Sequence, residues 1–339
     1  MNVCIIRAGS YKNQIGSGRR GKHMNLRFQL KKMIRSLQYR VAFLISSVCV
    51  CLALFLEVWK SRGVDRFAVV SASEAVCGYG LSYGWKIFSA IWPFLIVLAC
   101  STSYVSEKKN RCVSVILVRT NWKSYLRGKL AVSAIGSMSV VLIPLLLNML
   151  LCYFIFPNNL NLSWGAYEDN MYEISLLGEN LFYSSVNPQY LFLSIYLKSP
   201  VLYQLLYFLI LGVFSGICGA FVMAISFVFS GNIMILFLPI YLICVGTMQL
   251  NSLFFARILN IVNGNIESTE NVSQSIANAE RIQEQTARYL DLYLMDYLAP
   301  MTSSSCSMLY LLVWALILSV ITVLLYFYAS HRELNAQQG

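Results

Sequence analysis

Residues 199–256 read SPVLYQLLYFLILGVFSGICGAFVMAISFVFSGNIMILFLPIYLICVGTMQLNSLFFA and contain no Asp, Glu, Lys, Arg or His. A run of this length exceeds what one helix needs, since roughly 20 apolar residues cross a hydrocarbon core of about 30 Å. Ser230-Gly231-Asn232 is the natural break, because Gly and Asn favour turns over helix. The two pieces become spans over 201–229 and 233–250. Inside lipid each must be helical, since no water is present to satisfy the backbone polar groups.

Four further apolar runs lie at 41–58, 87–106, 130–156 and 308–330, the first reaching spanning length if Glu57 sits at headgroup level with Val58 and Trp59. The expected fold is an all-α polytopic membrane protein with six transmembrane helices. Composition agrees: 58% of residues are hydrophobic, 12% are charged and the mean hydropathy is +0.62, whereas about a quarter of residues are charged in soluble domains. The net charge of +11 does not point to nucleic acid, because the basic residues flank apolar spans, where they set orientation.

Residues 1–23 read as a disordered basic tail, and an ordered pattern begins at Met24, which could itself be the translated start. Over 24–40, Leu26, Leu30, Met33, Ile34 and Leu37 share one helical stripe, with Arg27, Lys31, Lys32 and Arg35 mostly elsewhere. That pattern predicts an amphipathic helix in the membrane interface. With the N-terminus inside, the inner segments (1–40, 106–129, the turn near 231, and the tail 331–339) hold 18 Lys and Arg, against 8 outside. The positive-inside rule then gives N-in, C-in.

The external loops are 58–86, 157–200 and 251–307. The last includes a predicted helix over 272–298, opening at Asn271 or Ser273 and stopping before Pro300. Cys77 and Cys306 are the two externally placed cysteines, and either two free thiols or a disulfide is compatible with the sequence. Cys49, Cys51, Cys100, Cys152, Cys218 and Cys244 fall in apolar runs, where Cys packs as a small hydrophobe.

The chain shows little equipment for chemistry. Gly16 to Lys22 nearly spells a phosphate-binding loop, but His23 stands where the magnesium-binding hydroxyl belongs. His23 and His331 are the only histidines, and no metal spacing or catalytic triad is formed. Glu168, Asp169 and Glu173 in an outer loop read as solvated acids. No catalytic residue, metal or cofactor is expected. Spans free of ionisable groups also argue against a proton-coupled carrier. Gly212, Gly216 and Gly219 give small-residue spacing for close helix packing, within one subunit or between two. Asn148, Gln204 and Gln249 read as interhelical hydrogen-bonding groups or as pathway lining.

One segment resists a purely topological explanation. Ser106–Lys129, SEKKNRCVSVILVRTNWKSYLRGK, carries 7 of the 26 Lys and Arg, yet Cys112–Val118 within it is apolar. A short helix presenting Val113, Ile116 and Leu117, then an elbow at Arg119-Thr120-Asn121, predicts a helical knuckle with a basic rim. Thr120 or Asn121 would cap a second helix running through Trp122, Tyr125 and Leu126 into the third span. An apolar patch rimmed by charge indicates a protein contact.

On these residues the chain resembles the ABC-2-type permeases, the membrane subunits of ATP-binding-cassette exporters. Glu107 after the second span, Leu117-Val118-Arg119, and Tyr125-Leu126-Arg127-Gly128-Lys129 before the third are similar to that family's acid, Leu-rich turn and Lys. Arg111-Cys112 stands where a Gly-Thr pair often follows the acid, and no Pro occurs at the elbow.

The resemblance implies a bacterial cell membrane protein with 106–129 as coupling segment. It implies a second permease subunit, identical or not, and a separate ATPase subunit that binds the ATP. The residues it marks for ATPase docking are Glu107, Val113, Ile116, Leu117, Arg119, Trp122, Tyr125 and Lys129. A peptide, lipid or drug-like substrate is the implied cargo. The competing reading is a membrane receptor or an assembly or immunity component, which binds a ligand through its external loops without transport.

Overall fold

The computed structural model describes residues 26–63, 72–77, 83–109, 121–156, 192–229, 233–266, 293–299 and 308–336. Among them every regular element is helical. These are α1 (Leu26–Ile34), α2 (Leu37–Lys60), α3 (Ala72–Ala75), α4 (Tyr83–Lys109), α5 (Trp122–Ile155), α6 (Leu193–Lys198), α7 (Pro200–Val228), α8 (Ile233–Ile266) and α9 (Met308–Ala336), with a 3-10 turn at Leu294–Leu298 between the last two. Five of them, α2, α5, α7, α8 and α9, hold stretches long and apolar enough to cross a membrane. α4 carries a shorter apolar stretch, Gly84–Ala99. The chain is a multi-pass helical membrane protein.

α7 ends at Val228 and α8 opens at Ile233, on either side of Ser230-Gly231-Asn232, which lies outside the described residues. α7 is the axis of the bundle, the most buried of the five candidate spans, and it packs chiefly on α5. The glycines set that contact. A Cβ on Gly219 would fall 2.6 Å from the Ser137 Cβ, and one on Gly216 would fall 3.2 Å from the Ala134 carbonyl oxygen. Ser133 adds a hydrogen bond, its hydroxyl donating to the Gly219 carbonyl at 2.7 Å. The seam at Gly216 and Gly219 is therefore internal to one chain. At Gly212 the nearest atom would be 3.5 Å away, ordinary van der Waals contact.

Several expectations are corrected. The interfacial helix predicted over 24–40 ends at Ile34, because Ser36 caps a new helix, its hydroxyl accepting from the Tyr39 N–H at 3.3 Å. Leu37, assigned to its apolar stripe, opens α2 instead. α1 buries Gln29 and Met33 and leaves Leu26, Phe28 and Ile34 exposed, so its apolar residues divide between protein and surroundings. α8 runs past 250 to Ile266. Falling hydropathy marks where a helix would leave lipid, and no Pro or Gly stops this one before Gly264. The predicted helix over 272–298 lies mostly outside the described residues, and its last residues form the 3-10 turn, with Leu294, Met295, Tyr297 and Leu298 buried.

Trp85 and Trp92, although near the ends of apolar runs in sequence, are core residues. Trp92 donates to the Ser215 hydroxyl at 2.8 Å and stacks on Phe214. Glu57, placed at headgroup level, is a buried carboxylate 3.4 Å from Lys60 at the end of α2.

The loop predicted at 58–86 is not wholly external to the bundle. Ala72, Ser73, Ala75, Val76 and Cys77 are buried, and their backbone is held by polar groups from the helices. Cys77 N–H donates to Asn148 Oδ1 at 2.8 Å, Gln204 donates to the Ser73 carbonyl, and the Cys152 thiol points to the Ala75 carbonyl at 3.5 Å. The polar side chains Asn148 and Gln204 thus hold an inserted loop. A buried backbone must find such partners. Cys77 is buried in the bundle, and Cys306 lies outside the described residues.

Candidate functional site: a shared carboxylate at the base of the charged island

The island Ser106–Lys129 is not one loop. Ser106–Lys109 is the last turn of α4, and Trp122–Lys129 forms the first two turns of α5. Asn121 caps α5, its side chain accepting from the Lys123 N–H at 3.4 Å. This fixes which of the two expected caps is used. Residues 110–120, and with them Val113, Ile116, Leu117 and Arg119, lie outside the described residues.

α5 has 34 residues, which makes it about 51 Å long and leaves its first turns beyond a hydrocarbon core of about 30 Å. Three elements meet there. Glu107, near the end of α4, accepts from Lys129 Nζ at 2.8 Å and from Lys32 Nζ at 2.6 Å, both on Oε1. Tyr125 donates its hydroxyl to Oε2 at 2.5 Å. Tyr125 and Lys129 lie four residues apart on α5, so one helical face presents both to the carboxylate.

Burial makes this cluster unusual. Glu107, Tyr125 and Lys129 are at most 7% exposed, whereas the Lys32 side chain is half exposed. Burial works against the charged Glu107, yet Lys129 and Lys32 outweigh it and hold the carboxyl below its ordinary value. For Lys129 burial dominates and pulls the ammonium below its ordinary value, with Glu107 opposing. The electrostatics describe an ion pair whose partners are each costly to leave alone.

Around it, Trp122 stacks on Tyr125, the ring centroids 5.9 Å apart. α1 reaches the same place. The Gln29 amide lies on Gly128, where a Cβ would fall 2.8 Å from Nε2. Glycine at 128 therefore lets α1 seat closely on α5.

Four of the eight residues marked for docking, Glu107, Trp122, Tyr125 and Lys129, are thus brought together and buried within the chain. Lys32 and Gln29 were not singled out by sequence. Lys32 reads as one of several basic residues on an amphipathic helix, and its partner lies 75 residues away. Among the described residues no group of three or more His, Cys, Asp or Glu could hold a metal ion.

No family model, no curated protein and no solved structure matches this chain.

Proposed function

We propose that this chain is the membrane-embedded permease subunit of an ATP-binding-cassette transporter, a non-catalytic subunit driven by a separate ATPase. In this reading α4 is a sixth span, both termini are cytoplasmic, and residues 110–120 form the surface on which the ATPase docks. A second permease subunit completes the pathway. The observation that carries the reading is the shared Glu107 carboxylate. It ties the helix before the docking segment, the helix after it and the interfacial helix α1 into one unit. Force applied at 110–120 then moves α4, α5 and α1 together. The role of Glu107, Trp122, Tyr125 and Lys129 is to stiffen the base of the docking surface from within, while Val113, Ile116, Leu117 and Arg119 meet the partner.

The test is co-purification from membranes with a cassette ATPase, followed by ATP-dependent transport by the reconstituted pair. Ile116→Asp with Leu117→Asp is expected to abolish association and leave membrane insertion intact. Unchanged association of that double variant defeats the docking assignment.

A further inference from the structure

A cavity of about 170 Å³ lies beside the Glu107 cluster, lined by Lys108, Trp122, Phe227, Val228, Tyr328, Ala329 and Arg332. Its walls come from the C-terminal ends of α4, α7 and α9 and from the first residue of α5. Two walls are cationic. Lys108 and Arg332 are exposed, and neither has an ion pair among the described residues. The carboxylate next to Lys108 in sequence, Glu107, is already engaged by Lys32, Lys129 and Tyr125. The third polar contribution is the Trp122 indole. Its residue is 8% exposed, and its Nε1–H is buried without a hydrogen-bond partner. An indole nitrogen can only donate, and leaving a buried donor unmade is costly.

Two cations with no ion pair among the described residues and a spare donor share a cavity at the start of α5, whose N-terminal end carries the positive pole of the helix dipole. All four features call for the same ligand chemistry, an anion with several acceptor oxygens. The remaining wall is apolar or aromatic, from Phe227, Val228, Tyr328 and Ala329, and suits a ligand whose anionic head joins a non-polar body. We infer that this cavity is a phosphate-binding site, taking either the headgroup phosphate of an anionic lipid or a free phosphate anion. It lies at the end of the bundle that bears the basic helix α1, where an anionic leaflet would meet it. The inference is independent of any ATPase, so its failure and that of the docking assignment are separable.

The full chain, purified in neutral detergent, provides the test. Native mass spectrometry compares retained phosphatidylglycerol with phosphatidylcholine, and a thermal shift measures the response to inorganic phosphate. The variant Lys108→Ala with Arg332→Ala changes only exposed side chains. Trp122→Phe keeps the ring and removes the donor. Preferential retention of phosphatidylglycerol, weakened about tenfold or more in the double variant and severalfold in W122F, establishes a lipid site. Stabilisation by inorganic phosphate that the variants lose, without lipid retention, establishes a free-phosphate site. Equal behaviour of the wild-type chain and the double variant in both arms overturns the site. So does undiminished binding by W122F, since the indole donor is part of the site as built.

Discussion

Lys129 donates to Glu107 across 2.8 Å with both side chains almost wholly buried, 22 residues apart in sequence and on different helices. Such a pair is a weak source of net stability while intact, because two desolvation penalties offset its attraction. It becomes a large liability when one partner is removed.

Glu107→Gln is therefore expected to destabilise the chain by about 3–5 kcal/mol, the cost of a buried charge left unpaired. Pairing it with Lys129→Met should restore much of the loss, because no buried charge then remains. Thermal unfolding of the single and double variants beside the wild-type chain in detergent measures both effects. A single variant as stable as the wild-type chain contradicts the burial of the pair.

The same carboxylate predicts an acid response. Its folded pKa lies below the ordinary value of 4.5, so the folded state releases the proton more readily than the unfolded one. Its stabilisation is then complete above that value and is lost as pH falls through the lower folded pKa. The stability gap between the wild-type chain and E107Q should be flat from neutral pH down to about 5 and should shrink at more acid pH. A gap that widens on acidification is the contrary result.

At the α5–α7 seam, Gly219→Ala places a methyl group against Ser137 and should cost about 1–3 kcal/mol by overpacking. Gly212→Ala meets only ordinary contacts and should be nearly neutral. Side-by-side melting curves decide it, and equal cost at both positions would refute the close approach at Gly219.

Cys77 reports on the inserted loop. Burial raises its thiol well above the ordinary value, so the wild-type residue should react slowly with maleimide. Asn148→Ala removes the acceptor for the Cys77 N–H and should accelerate labelling, with site mapping by mass spectrometry to separate Cys77 from Cys152. An unaltered rate would show that Asn148 does not hold the loop.

The helices that hydropathy predicts were legible because charge-free runs in lipid allow only helix. Their ends were less so. The apolar stripe of α1 continues in register through Leu37, so periodicity alone carries the helix across the Ser36 cap that divides it. Of the candidate site, Glu107, Trp122, Tyr125 and Lys129 were marked by the resemblance to a permease family, yet their burial was invisible. Positive-inside reasoning assigns such residues to solvent. The pairing of Glu107 with Lys32 and the capture of Ala72–Cys77 by Asn148 and Gln204 join residues more than 70 positions apart. No local pattern encodes those contacts.

The shared carboxylate also bears on the order of biogenesis. In the six-span reading, α4 has the shortest apolar stretch, Gly84–Ala99, and carries an acid, Glu107, in its last turn. Its nearly buried partners, Tyr125 and Lys129, emerge from the ribosome later. Until α5 is made, Glu107 has only the half-exposed Lys32 for a partner, and in that reading α4 and α5 would enter the bilayer as a hairpin closed by their own ion pair.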